Sequence, residues 1–207
     1  ALLGEGSAAT LVTQAIQGLG GVGKTQLAVE FAYRYGRYFA GVHWLNAAEP
    51  GGMNAEVAAC GAAMRLPGWP DELPAQVACT LEAWRRGGRR LVVLDNLEDV
   101  AAAREWLGRL GGARVLLTAR RADWPRDIGL RALRLDVFSL DESRAFLQEY
   151  LDASRATDDE VEALAERLGH LPLALELAGR YLERRRLTVS GYVEKLESAL
   201  EHVSMAG

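Results

Sequence analysis

The residues whose spacing carries the clearest chemistry are Gly18-Leu-Gly-Gly-Val-Gly23-Lys24-Thr25, four glycines followed by a lysine and a hydroxyl. This satisfies the pattern G-x-x-x-x-G-K-[ST] of a phosphate-binding loop. Glycines let successive backbone N–H groups turn inward around phosphate oxygens, and a helix opening at Lys24 adds its positive end. The Lys24 ammonium then reaches the β and γ phosphates, and the Thr25 hydroxyl is offered to magnesium. The expected nucleotide-binding set is Gly18, Gly20, Gly21, Val22, Gly23, Lys24, Thr25 and Gln26, with ATP or ADP and Mg2+ as ligands.

Of the 24 basic residues only two are lysines, Lys24 and Lys195. A chain that otherwise uses arginine keeps a compact point charge where phosphate is expected. Downstream, Leu91-Val-Val-Leu-Asp95 reads as a buried strand ending in an acid, so Asp95 is the candidate partner of Thr25 in the magnesium shell. A strand ending in an ordinary turn acid would read the same way. Asn96 stands where hydrolysing relatives of this pattern keep an acid. An amide can orient water but cannot take its proton, so slow hydrolysis is expected unless Glu98 or Asp99 swings in. Both of these read more simply as solvated turn residues. Arg114-Val-Leu-Leu-Thr118-Ala-Arg120 would bring Thr118 and Arg120 to the same sheet edge, where they could meet a γ-phosphate, Arg120 as a charge sensor. Arg120 and Arg121 on a solvated loop is the alternative. The catalytic set is then Lys24, Asp95, Asn96 and Arg120, and the metal set Thr25 and Asp95.

These groups need elements to hold them. Thr10 to Gln17 reads as a strand, and Gln26 to Tyr38 as a helix in which Leu27, Ala28, Phe31, Ala32 and Tyr35 recur at helical spacing. Strands are expected at 41–46, 91–94, 114–118 and about 130–137, with helices at 53–64, 73–86 and 100–109. Short apolar strands alternating with helices predict a parallel sheet flanked by helices. After Phe138 the pattern changes. Ser139 to Glu142 and Thr157 to Glu160 are capping boxes, and four helices follow near 141–151, 158–168, 172–185 and 190–203. In the third, Leu173, Ala174, Leu177, Ala178, Tyr181 and Leu182 are expected to form the packed face. The expected organisation is a P-loop nucleotide-binding domain over residues 1–137, with a five-stranded parallel sheet, followed by a small all-α domain over 138–207.

Bulk properties narrow the classes. With 207 residues, 49% hydrophobic, the chain can bury a substantial core. Its 28 acidic residues outnumber the basic ones for a net charge of -4, with no basic run, so direct nucleic-acid binding is not expected. No apolar run approaches the roughly 18 residues needed to span a bilayer. Cys60 and Cys79 read as buried small apolar residues in a reducing, cytoplasmic compartment. His43 and His170 read as structural. No metal-ligand spacing or nucleophile and base set supports a protease or deaminase. The first residues include no initiator methionine, which reads as a piece of a longer protein.

With the glycine loop, Leu91 to Asn96, Thr118 to Arg120 and Gly169-His-Leu-Pro-Leu-Ala-Leu175 in this order, the chain resembles the NB-ARC domains of STAND signal-transduction ATPases, in their bacterial flavour. Animal apoptosome scaffolds and plant disease-resistance proteins are more distant likenesses. The resemblance implies that the nucleotide lies between an α/β and a helical domain, that Pro172 touches the base or ribose, and that Arg120 senses the γ-phosphate. It further implies a switch held closed by ADP and opened by ATP, with homo-oligomerisation in the ATP state and with sensor and effector domains as partners in the same longer chain. Three departures stand against this pattern. The segment before the first strand that usually carries a Gly-Arg pair is absent or truncated, no winged-helix domain with an ADP-locking histidine follows Gly207 in this sequence, and Asn96 replaces an acid. On this reading the chain is a weak ATPase acting as a switch; the alternative is a turnover ATPase or small-molecule kinase of another P-loop class.

Overall fold

The computed structural model describes residues 12–151 and 155–205, the side chains of Val12, Thr13 and 199–205 excepted. Thr10 and Leu11 of the first expected strand lie outside them. Two compact units emerge. One comprises Ala1–Gly18 with Lys24–Leu135, the other Leu19–Gly23 with Asp136–Gly207.

In the first unit, strands β1 (Val12–Gln17), β2 (Gly41–Asn46), β3 (Arg90–Asp95), β4 (Arg114–Ala119) and β5 (Arg131–Arg134) form one parallel sheet in the order β2-β3-β4-β1-β5. Helices α1 (Lys24–Tyr35), α2 (Met53–Ala63), α3 (Leu73–Arg86) and α4 (Val100–Arg109) connect them. Because side chains alternate across a strand, each central strand feeds two cores. Ile16, Leu91, Val93 and Leu116 pack with Ala28 and Phe39. Ala15, Val92, Leu94, Val115 and Leu117 pack on the other face with Trp84 and Trp106. β3 and β4 are buried nearly throughout, as strands covered on both faces must be. β5 is exposed at all four positions and ends the sheet with Arg131 and Arg134, a charged edge that discourages further pairing.

Two departures from expectation lie in α1. It begins at Lys24, as the glycine-loop reading expects, but ends at Tyr35, three residues before the end of the periodic run, yielding to a 3-10 turn, Gly36–Tyr38. Leu27 and Tyr35 are exposed while Ala28 is fully buried, so the inward stripe is narrower than the apolar positions.

The second unit contains α5 (Leu140–Gln148), α6 (Asp158–Arg167), α7 (Pro172–Arg185) and α8 (Val189–Met205). Both capping boxes form: Ser139 with Glu142 and Thr157 with Glu160 exchange side-chain and backbone bonds at the starts of α5 and α6. The packed face of α7 is a correction. Leu175, Ala178, Gly179 and Leu182 are buried, whereas Leu173, Leu177 and Tyr181 are exposed. The reason is Gly179, against which the Tyr150 ring sits so closely that an added Cβ would lie 2.5 Å from it. The helix turns its smallest residue inward, and Leu173 and Leu177, on one side of the expected stripe, face outward.

Candidate functional site

The glycine loop follows β1 directly. Gly18 (φ 154°), Gly21 (φ 79°) and Gly23 (φ 96°) have backbone angles that side chains disfavour, and a Cβ at Gly20 or Gly23 would meet nothing within 4 Å. The loop is thus a bent backbone beside open space, as a phosphate cradle requires. Val22 is buried, while Gln26 is exposed on the first turn of α1. That first turn carries no acid to oppose an anion.

Lys24 is the first residue of α1. Its side chain is only 7% exposed and doubles back so that Nζ donates to the Gly18 carbonyl at 2.9 Å. Burial lowers its pKa, and Glu98, Arg120 and Asp95 are the charges that act on it. The ammonium therefore sits among the groups of the β3 and β4 ends, all of them in the first unit.

Asp95 ends β3 and is 8% exposed. Its Oδ1 accepts from the Thr25 hydroxyl at 2.9 Å and from the Thr118 hydroxyl at 2.5 Å. Thr118 Oγ1 in turn accepts from the Asn96 backbone N–H at 2.9 Å. Thr118 is fully buried, so it is not placed to meet a γ-phosphate; its work is to orient Asp95. A hydroxyl and a carboxylate oxygen so placed are hard donors of the kind magnesium takes. No cluster of three or more His, Cys, Asp or Glu side chains occurs among the described residues, so the remaining ligands would be phosphate oxygens and water. That is the usual habit of this ion, and the residues present fit it.

Asn96 adopts the left-handed conformation (φ 61°) that Asn tolerates, with its side chain exposed. The two acids beyond it each accept backbone N–H groups, Glu98 half-buried and Asp99 exposed. Asp99 caps α4, accepting from the Ala102 N–H at 2.7 Å. Glu98 accepts from the backbone N–H groups of Arg120 (2.6 Å) and Arg121 (3.0 Å). Both carboxylates are committed to backbone N–H groups in this arrangement. Only their hydrogen bonds reveal this, since a loop acid and a loop cap are spelled alike. Arg120 follows β4 with its residue exposed.

Pro172 opens α7 in its first turn, where its missing N–H costs nothing. It falls in the second unit together with Gly20, Gly21, Val22 and Gly23. Within that unit the Leu173 N–H donates to the Gly21 carbonyl at 3.1 Å.

His43 and His170 are held in structural contacts. His43 is buried against the Trp84 ring at 4.5 Å with Arg90 Nη1 3.3 Å from Nε2, and burial followed by the Arg90 charge lowers its pKa to about 4. His170 Nδ1 bonds Ser143 Oγ at 3.0 Å. Cys60 and Cys79 are free thiols, and burial raises the Cys60 pKa. Among the described residues no helix is long and apolar enough to cross a membrane.

No family model matches the chain. It is 33% identical over 205 residues to the regulatory protein AfsR of Streptomyces griseus, an alignment covering 93% of this chain and 20% of AfsR. To AfsR of Streptomyces coelicolor it is 32% identical over 199 residues, covering 92% and 20%. A nucleotide-binding leucine-rich repeat (NLR)-like protein of Hyaloscypha variabilis is 24% identical over 209 residues, covering 89% and 21%. The chain thus spans about a fifth of the length of these relatives. Among solved structures it is similar to Cdc6p of Pyrobaculum aerophilum, with TM-score 0.63, 13% identity and coverage of 84% of this chain and 56% of that one. It is also similar to the ORC2 protein of Aeropyrum pernix in its ADPNP-ADP complexes, with TM-score 0.56, 16% identity and coverage of 91% and 63%. With the five-stranded parallel sheet and the glycine loop that follows β1, these likenesses give the chain the α/β fold of a P-loop NTPase.

Proposed function

We propose that the chain is an ATP/ADP-binding switch module, an NB-ARC domain of a longer, cytoplasmic STAND-type signalling regulator. The observation that carries the reading is the convergence of Thr25 from the glycine loop and Thr118 from β4 on one oxygen of Asp95. The regulatory and nucleotide-binding NLR-like names of its longer relatives support the same reading. Residues 1–137 are the nucleotide-binding domain and 138–207 a helical domain.

In this reading the backbone of Gly18 to Gly23 holds the phosphates, Lys24 leaves the Gly18 carbonyl to pair with the β and γ oxygens, and Thr25 and Asp95 hold Mg2+. Magnesium, when bound, neutralises charge on the phosphate oxygens. Asn96 orients water without accepting its proton, and Glu98 and Asp99 are engaged elsewhere, so turnover is slow. Arg120 meets the γ-phosphate, and Pro172 lies against the base or ribose. A switch requires a ligand that binds its two conformations unequally. A γ-phosphate paired with Arg120 in one of them supplies that difference and favours homo-oligomerisation with ATP.

The test begins with the nucleotide content of the purified protein. Stoichiometric ADP released on denaturation is expected, and none from Lys24→Ala. A protein that purifies empty and hydrolyses ATP rapidly is a turnover ATPase instead. Arg120→Ala is expected to lower the ratio of ATP to ADP affinity about tenfold, as loss of one charge-assisted contact should.

A further inference from the structure

The β3–α4 loop reaches across to the loop after β4 through one side chain. Glu98 Oε1 accepts from the Arg120 N–H at 2.6 Å and Oε2 from the Arg121 N–H at 3.0 Å. The Arg121 Nε returns a bond to the Glu98 carbonyl at 3.1 Å. Arg121 is further fixed by Asp123, 3.5 Å from Nη1, and its carbonyl accepts from Trp124 Nε1 at 3.1 Å. Two successive N–H groups in a turn make an anion-binding concavity, and here it is filled by a carboxylate of the protein itself. The backbone that carries Arg120 is therefore clamped, while the Arg120 residue stays exposed. The same carboxylate leads the charges felt by Lys24, with Arg120 next, so the clamp acts on the lysine that opens α1.

We propose that Glu98 is the positioning residue of Arg120, fixing the backbone from which the guanidinium discriminates ATP from ADP. This rests on the reading of Arg120 as the discriminating group. A carboxylate binding two N–H groups loses one acceptor oxygen on conversion to an amide, so Glu98→Gln releases half the clamp. A purely electrostatic Glu98 would behave oppositely: removing a negative charge near the phosphates would favour the more highly charged ATP and raise its affinity relative to ADP.

The experiment is titration of Mg-ATP and Mg-ADP into the intact chain and into Glu98→Gln, Glu98→Asp, Arg120→Ala and Glu98→Gln/Arg120→Ala, with unfolding midpoints recorded for each. Glu98→Gln is expected to lower the ATP-to-ADP affinity ratio about fivefold, with ADP affinity changed less than about twofold and no further fall in the Arg120→Ala background. Glu98→Asp keeps the charge on a shorter stem that cannot span both N–H groups, so it is expected to lower the ratio too. A raised ratio in Glu98→Gln, or an unchanged ratio in both single variants while Arg120→Ala lowers it, overturns the assignment of Glu98 and leaves the switch reading standing. An unchanged ratio in Arg120→Ala removes the role of Arg120 and the clamp's purpose with it. Should Glu98→Gln fail to fold, Glu98→Asp alone decides between these outcomes.

Discussion

The Thr25 hydroxyl donates to Asp95 Oδ1 at 2.9 Å across 70 positions of sequence. Because Thr118 uses the same oxygen, the second carboxylate oxygen is the one available to a hydrated cation. On the proposed reading, two hydroxyls thus orient the magnesium-binding carboxylate before any ligand arrives.

Asp95→Asn keeps the shape and removes the charge. The gain in ATP affinity on replacing EDTA by Mg2+ is expected to shrink at least about tenfold, because a hard cation loses its only protein carboxylate. Calorimetric titration in the two buffers measures it, and an undiminished gain would remove Asp95 from the metal shell.

Thr118→Val is nearly isosteric at a fully buried position. It strips a donor from Asp95 and an acceptor from the Asn96 N–H. A loss of about 1–3 kcal/mol of stability is expected. Urea unfolding reads this, and a variant as stable as the parent would mean that water replaces the hydroxyl.

Asn96→Asp places an acid where the structure has an amide, in a left-handed conformation that Asp also tolerates. Phosphate release from ATP is expected to rise at least about tenfold, toward the range that a positioned base contributes. No change in rate would show that turnover is limited by something other than proton transfer.

His43 has a pKa of about 4 in the fold against 6.5 for a free side chain, through burial first and Arg90 second. As pH falls below 6.5 the unfolded chain takes up a proton that the folded chain refuses, so stability is lost across pH 6.5 to 4 and the loss levels off below. The full effect is about 3 kcal/mol. Unfolding midpoints for the parent and for His43→Gln should therefore converge as the pH falls over this window. Parallel curves would mean that the folded state admits the proton.

Much of this was legible beforehand because the relevant signals are local. The helices 73–86, 100–109 and 172–185 begin and end where their caps, prolines and periodicity place them. The parallel sheet follows from short apolar strands spaced by helices. What local pattern could not carry was how side chains divide between partners. Leu173 and Leu177 look like core by spacing, yet the buried face runs through Leu175 and Gly179, where the Tyr150 ring packs. Thr118 looks like a polar strand end facing ligand, yet it is buried on Asp95. Glu98 and Asp99 look like solvated acids, yet each closes a loop with backbone N–H groups. In all three, the deciding contact lies with a group that helical or strand periodicity does not register.

The order of the strands has a consequence for biosynthesis. β1 is first in the chain and pairs with β4 and β5, whose residues begin at Arg114 and Arg131. A ribosome adding roughly 5–20 residues per second must make everything from β1 to Arg114 before that strand gains a neighbour. Until then the glycine loop has no sheet beneath it, and β2 and β3 can already pair with each other. The glycine loop is thus made before the strands that fix it, so the contacts of Thr25 and Thr118 with Asp95 cannot form before β4 has left the ribosome.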